Sequence, residues 1–313
     1  MKKLLRVLAL AALLLGLADL GGGLFLMHVA LDRAEPLPVK QTPGPAIAAP
    51  GDEPVWHWAA RAGFENVEIR STDGLRLRGY YLAAHQPSNK TAILVHGYRG
   101  DAMHDMAVFA RYYRETLGYN VLMADDRAHG HSEGRYIGLG WLDRKDYEQW
   151  IEFVLQRTGP KTQIVLHGLS MGGATVLEMS GDTLPPNVKA IVSDSSFSDA
   201  ETELGIELRR KYHLPRFPLL GTASFWSGHL AGYSFADSSP LEQVAKSKTP
   251  TLFVHGANDH YVPVAMAHKL FERCAAPKQL LLVPKAGHAG SFTAAPTLYK
   301  SQLKQFLAKY VVG

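Results

Sequence analysis

The five residues Gly168-Leu169-Ser170-Met171-Gly172 constrain this chain more than any other part of it. They follow an apolar run, Gln163–Leu169, that reads as a buried strand, and they open a segment, Ser170–Met179, that reads as a helix. A chain that passes from strand to helix at one residue must turn sharply. Glycine on either side removes the side chains that would clash across such a turn. The serine then stands at the tip with its hydroxyl exposed, beside a helix N-terminus that favours developing negative charge. Ser170 is the candidate nucleophile. The plainer reading is a helix-capping serine between two glycines.

The rest of the chain repeats the strand-then-helix rhythm. Apolar strand runs recur at Thr91–His96, Asn120–Ala124, Gln163–Leu169, Val188–Asp194, Thr251–His255 and Gln279–Pro284. Helical patterns fall between them, near Met106–Tyr113 and at Asp143–Arg157, Ser170–Met179, Val264–Cys274 and Pro296–Lys309. Val67–Arg70 and Leu75–Leu82 flank a hairpin signal, Ser71-Thr72-Asp73-Gly74. The expected fold is α/β, a doubly wound and mostly parallel sheet with antiparallel strands at one edge. One stretch, residues 197–248, is too long for a plain connection. It carries two helical patterns, Ala200–Lys211 and Leu219–Leu230, and many large apolar residues, so it reads as a helical lid inserted in the domain. Within it Phe225 and Trp226 are the candidate substrate contacts. Ser239-Pro240-Leu241-Glu242 predicts a capping box with proline at the first helical position.

An activated serine needs a base, and the base needs an orienting acid. His288, in Ala286-Gly287-His288, follows the last strand, and Asp259, in His255-Gly256-Ala257-Asn258-Asp259, follows the strand before it. Both stand at C-terminal strand ends, where sheets of this kind place their sites. Asp194 is the rival acid, but its neighbours Ser195 and Ser196 suggest local hydrogen bonding. The backbone N–H groups of Tyr98, in His96-Gly97-Tyr98-Arg99-Gly100, and of Met171 are the candidate oxyanion donors. His96 reads as structural. His129 and His131 invite a metal reading, but no further ligand stands at a suitable spacing, so no metal is expected there.

Before all of this, Lys2, Lys3 and Arg6 precede an apolar run from Val7 to Ala18, which Asp19 and Gly21-Gly22-Gly23 interrupt and Leu24–Leu31 resumes. Residues 1–33 are expected to be a membrane anchor, with a cleaved signal peptide as the alternative. The basic flank stays in the cytoplasm, so the catalytic part lies outside it, held on the membrane or, after cleavage, secreted. Residues 34–54 carry six prolines and read as an extended linker. Residues 55–313 are left for the hydrolytic domain. The net charge of +4 is scattered, which leaves no nucleic-acid footprint. A single cysteine, Cys274, excludes an intramolecular disulfide.

Together these motifs resemble the α/β-hydrolase superfamily, and within it the serine aminopeptidase-like branch, including bacterial hydrolases with one N-terminal membrane segment. The similarity runs from about Trp56 to Tyr310. It is carried by HGYRGD near 96, D-R-A-H-G-x-S-x-G near 126, GLSMGG near 168, HGANDHYVP near 255 and AGH near 286. It implies a triad of Ser170, Asp259 and His288, acting on esters, thioesters or short peptides without a metal or cofactor. Members often carry an acid shortly after the histidine; here the segment is Ala289-Gly290-Ser291. The aromatic lid favours a small-molecule acyl ester as substrate, cleaved through an acyl-enzyme on Ser170. A serine peptidase or aminopeptidase is the runner-up, because lid acids Glu201, Glu203 and Glu207 could hold an amine. An acyltransferase with the same triad and an inactive binding module are the remaining alternatives.

Overall fold

Ala92 and Leu94 point to one side of their strand and Ile93 and Val95 to the other, and all four side chains are fully buried. Successive side chains of a strand alternate in direction, so a run that is apolar at every position needs cover on both faces. The structure, a computed structural model that describes residues 1–33 and 53–312, supplies that cover. In chain order its elements are α1 (Lys2–Leu31), α2 (Val55–Arg61), β1 (Glu65–Arg70), β2 (Arg76–Leu82), β3 (Lys90–Val95) and α3 (Ala102–Arg111). They continue with β4 (Asn120–Ala124), α4 (Asp143–Thr158), β5 (Gln163–Leu169), α5 (Met171–Met179), β6 (Val188–Asp194), α6 (Ala200–Tyr212) and α7 (Leu219–Leu230). The chain closes with α8 (Pro240–Val244), β7 (Thr251–Gly256), α9 (Val264–Arg273), β8 (Lys278–Val283), α10 (Ser291–Ala294) and α11 (Pro296–Tyr310). The linker expected over 34–54 lies almost wholly outside the described residues.

The described chain divides into two compact units. One comprises Arg33–Ser198 and Ser239–Gly313, the other Met1–Asp32 and Asp199–Ser238. The larger unit is an eight-stranded sheet in the order β1-β2-β4-β3-β5-β6-β7-β8. From β4 to β8 every pairing is parallel. The hairpin β1–β2 joins the edge antiparallel, with β2 against β4. Phe109 of α3 and Tyr299, Leu303 and Phe306 of α11 pack on the face that carries Leu94 and Val165. Tyr147 and Trp150 of α4, Val176 and Leu177 of α5 and Leu270 of α9 pack on the face that carries Ile93 and Leu166. This is the doubly wound, mostly parallel sheet with antiparallel strands at one edge that the strand-helix rhythm implies.

Two local expectations need correction. Ser239 does stand before Pro240 at the start of α8, but its side chain makes no capping hydrogen bond. Its backbone carbonyl accepts from the N–H groups of Glu242 and Gln243 at 3.0 and 3.3 Å, which already closes the first turn. The insertion is also shorter than 197–248 as a compact piece, because α8 belongs to the sheet unit. Leu241 N–H donates to the Ser198 carbonyl, Ala275 N–H donates to the Val244 carbonyl, and Val244 is fully buried.

The smaller unit consists of α1, α6 and α7 with their connections. Asp19 and the glycine triplet do not interrupt α1, which runs unbroken over 30 residues. Each glycine in a helix costs up to about 1 kcal/mol relative to alanine, so the triplet needs a compensating contact. Gly22 and Gly23 lie against Leu219, Thr222 and Ala223 of α7.

The tightest backbone approach in the sheet unit surrounds the β5–α5 turn. A Cβ on Gly168 would lie 2.0 Å from the Gly172 carbonyl oxygen, and one on Gly172 would lie 2.1 Å from that of Val95. Neither oxygen belongs to a side chain that could swing away. Gly172→Ala should therefore cost more than the 1–3 kcal/mol typical of core overpacking, with a matching loss of thermal midpoint or of soluble protein. A surface glycine such as Gly118, with an open Cβ position and positive φ, should cost far less when changed to Asn.

Candidate active site

Ser170 stands at the end of β5 with φ 54° and ψ −116°. Positive φ in a residue with a side chain costs on the order of 1–3 kcal/mol and persists only where the surroundings impose it. Here they do. The Ser170 N–H donates to the Asp194 carbonyl of β6 at 2.8 Å, and its own carbonyl accepts from Ala174 N–H at 3.0 Å, starting α5. Position 170 is thus pinned between a neighbouring strand and a helix while its side chain projects from the turn.

The structure brings Ser170, His288 and Asp259 into one chain of hydrogen bonds. Ser170 Oγ lies 2.8 Å from His288 Nε2, and His288 Nδ1 lies 2.8 Å from Asp259 Oδ2. An ionised carboxylate only accepts, so Nδ1 carries the proton and Nε2 presents a lone pair to the serine hydroxyl. Asp259 has no exposed side-chain surface. Burial alone would raise its pKa. Hydrogen bonds from His255 and His288, and N–H donation from Val262, outweigh burial and hold the carboxyl well below the usual range. The N–H groups of Tyr261 and Val262 both reach Asp259 Oδ1 at 2.9 Å, which fixes the carboxylate plane.

Reading the sequence missed His255. Its Nε2 lies 2.9 Å from the Val262 carbonyl and 3.3 Å from Asp259 Oδ2, so Asp259 sits between two imidazoles. The available signal was its place at the end of β7, four residues before Asp259. Asp194 is spent elsewhere. Its Oδ1 accepts from Ser195 Oγ at 2.9 Å, and that Oγ in turn accepts from Ala289 N–H at 3.2 Å. Asp194 thereby tethers the loop that carries His288 rather than the imidazole itself. Burial pushes the Asp194 carboxyl up to about 6, against the hydrogen bond from Ser195.

Met171 follows the serine in the chain, and the loop after β3 approaches it through Gly97. Met171 is the first residue of α5, where N–H groups have no partner within the helix. The loop that carries Tyr98 comes close because residue 97 is glycine: a Cβ there would lie 3.4 Å from Ser170 Cβ. Gly97 N–H is held by Asp105 Oδ2 at 3.0 Å. His96 lies below, fully buried, with Nδ1 donating to the Gly97 carbonyl at 2.7 Å and Nε2 accepting from Asp126 N–H at 2.9 Å. Both of its nitrogens therefore hold backbone.

The Asp125–Gly134 loop is built the same way. His129 Nε2 accepts from Arg99 N–H at 3.0 Å and Nδ1 donates to the Arg127 carbonyl at 2.9 Å. Burial pushes its pKa down to about 3, which suits a neutral ring that accepts a backbone proton. Phe225 and Trp226 lie on α7, in the smaller unit. Phe225 is exposed, and Trp226 Nε1–H donates to the Leu20 carbonyl of α1 at 2.9 Å.

The arrangement has the parts of a nucleophilic hydrolase: a strained serine, an imidazole lone pair on its hydroxyl, a buried anion behind the imidazole and a helix N-terminus beside it. Comparison with known proteins points the same way. The model of the prolyl oligopeptidase family matches residues 104–312. The uncharacterised protein YqkD of Bacillus subtilis (strain 168) is 31% identical over 249 residues, 78% of this chain and 81% of that one. Lysophosphatidylserine lipase ABHD12 of Danio rerio is 26% identical over 230 residues, 72% of this chain and 56% of that one. Among solved structures, the Pyrococcus furiosus esterase Pf2001 superposes with a TM-score of 0.69 at 22% identity, covering 90% of this chain and 99% of its own, and so shares the fold. With a family model matching well over half its length, the chain belongs to the prolyl oligopeptidase family within the α/β-hydrolase superfamily.

Proposed function

We propose that this hydrolase cleaves carboxylic esters or thioesters through an acyl-enzyme on Ser170, from an N-terminal anchor that leaves the catalytic unit outside the cytoplasm. The observation that carries the chemistry is the pair of 2.8 Å contacts linking Ser170 Oγ, His288 and Asp259. Ser170 Oγ attacks the acyl carbonyl carbon while His288 Nε2 takes the hydroxyl proton. The oxygen that becomes negative is stabilised by the N–H groups of Met171 and Tyr98. The imidazolium formed faces the Asp259 carboxylate, which stabilises its charge and keeps Nδ1 protonated. His288 returns the proton to the leaving alkoxide or thiolate. Water then attacks the acyl carbonyl carbon and gives a proton to His288, and as the bond to Ser170 Oγ breaks His288 passes that proton to Oγ, releasing the carboxylic acid with Ser170 restored.

An ester rather than an amide is favoured by kinship with proteins named as an esterase and a lipase. A peptidase is the second reading, and the observation behind it is the family match itself. For the anchor, the support is α1: a helix of 30 residues holding an 18-residue stretch of mean hydropathy 2.0, with Lys2, Lys3 and Arg6 in its first turns. That length exceeds the roughly 20 residues that cross a bilayer, and the basic end is the one expected to stay inside.

Ser170→Ala should lose both turnover and covalent labelling by a fluorophosphonate probe, with the thermal melt unchanged. Labelling retained by this variant would place the nucleophile elsewhere. Asp259→Asn should lower kcat by on the order of 10⁴, by analogy with the protease triad, whereas Asp194→Asn should cost far less. The reverse order would give the acid role to Asp194. A series of p-nitrophenyl esters of graded chain length, run beside aminoacyl-nitroanilides, separates the two substrate readings. Turnover of the esters with the anilides untouched is expected, and efficient anilide cleavage would replace the esterase with a peptidase.

A further inference from the structure

The seam between α1 and α7 divides the N-terminal helix into two halves with different surroundings. The residues from Leu4 to Ala18 are exposed along every side of the helix. From Asp19 onward one face is covered. Thr222 Oγ1 donates to Asp19 Oδ2 at 2.5 Å, and Trp226 Nε1 donates to the Leu20 carbonyl at 2.9 Å. A Cβ on Gly22 would lie 2.9 Å from Leu219 Cδ2, and one on Gly23 would lie 2.6 Å from Thr222 Cβ. On α7 the partners 219, 222, 223 and 226 follow helical spacing, which lines them along one face.

Helix geometry places this seam along the membrane normal. At about 1.5 Å per residue, Asp19 lies roughly 20 Å from Arg6 and roughly 25 Å from Lys2, close to the thickness of a bilayer's hydrocarbon core, about 30 Å. With the basic residues at the inner surface, Asp19 is near the outer boundary rather than at mid-membrane. There its charge costs far less than at the bilayer centre.

The smaller unit is also where apolar surface is left open. Beyond α1, most of the exposed large apolar side chains among the described residues fall within residues 199–238: Tyr212, Leu214, Phe217, Phe225 and Leu230. The sheet unit, several times longer, exposes Trp56, Leu298 and Val312. A concentration of this kind marks an interaction surface. Lipid is its fitting occupant, because Phe225 and Leu230 stand exposed on α7, which packs against α1 beside that helix's exposed apolar half.

We infer that the second half of α1 is a structural partner of the lid, and that it seats α7 in the outer interfacial layer of the bilayer with Phe225 and Leu230 in contact with lipid. This rests on α1 being the membrane anchor. The span is then the first part of α1 up to about Asp19, some 18 residues from Lys2 and at the short end of what crosses a bilayer, and the rest of α1 stands outside it as a third lid helix. The substrates that suit such a seat are esters that partition into membranes.

The test uses the full chain in vesicles of phosphatidylethanolamine and phosphatidylglycerol, with Cys274→Ser as background. Nitroxide labels are placed singly at Leu10→Cys, Phe225→Cys and Leu230→Cys, and their collisions with oxygen, which concentrates in lipid, are compared with those of a water-soluble nickel chelate. Oxygen-dominated collisions at 10, 225 and 230 are expected, with 225 and 230 shallower than 10. A label at 10 in lipid with 225 and 230 in water would overturn the seating while leaving the anchor intact. A label at 10 in water would remove the anchor itself. Separately, oxidised Asp19→Cys/Thr222→Cys protein should yield a cross-linked peptide pair by mass spectrometry, and failure to form it would break the lid–anchor pairing.

Discussion

The site depends on one close packing of backbone, where the β5–α5 turn meets the end of β3. The carbonyls of Val95 and His96 fill the space that a side chain at position 172 would need, and the Gly172 carbonyl fills the space beside Gly168. This contact lets α5 start within one residue of the strand. It also forces Ser170 into the left-handed region, so that the hydroxyl rises clear of the sheet. The same contact brings the loop after β3, with Gly97 and Tyr98, against the serine. The exposure of the Ser170 hydroxyl, the approach of the loop after β3 and the start of α5 thus share one cause, the absence of two Cβ atoms.

Around that turn the protein uses buried carboxylates as scaffolding. Asp125 accepts from Ala102 N–H, His131 N–H and the Tyr80 hydroxyl, which joins the start of α3 to the loop after β4. Asp126 accepts from the Tyr147 hydroxyl at 2.6 Å, and Arg127 makes two 2.7 Å contacts with Asp146. Burial drives Asp126 and Asp143 above the usual carboxylate range, a sign of how little water reaches them. Buried polar groups are tolerated only when paired, and here the pairing fixes loops. This accounts for the Asp126–Gly134 motif, whose conspicuous histidine and acids hold the loop after β3 in place through His129 and Arg99.

The two histidines on Asp259 extend this economy to the site itself. His288 Nδ1 and His255 Nε2 both meet Oδ2, while the N–H groups of Tyr261 and Val262 hold Oδ1. A carboxylate with every direction occupied cannot rotate, so the imidazole it orients is held as well. In the smaller unit the device is different. Small residues on α1 let α7 approach closely, and one hydroxyl and one indole N–H satisfy the polar groups along the seam.

How much of this was legible in the residues follows from the range of the forces concerned. Periodicity is local, so the alternation of strands and helices, the edge hairpin and the unusual insertion could be read directly from apolar spacing. The strand-to-helix serine could be read because two glycines at fixed offsets record a steric demand made within five residues. His288 and Asp259 were legible as loop residues after strands, since a parallel sheet gathers such loops at one end whatever their distance along the chain. The assignment of Asp194 to its loop, the placing of His255 against Asp259 and the pairing of Asp19 with Thr222 were not legible. Each joins groups whose approach is set by strand order or by helix packing, and nothing near them in sequence records the partner. What the chain alone determined was the list of chemically able groups and the elements that carry them. Which of those groups touch was decided by tertiary structure, because hydrogen bonds act over about 3 Å and only the completed packing brings distant segments within that reach.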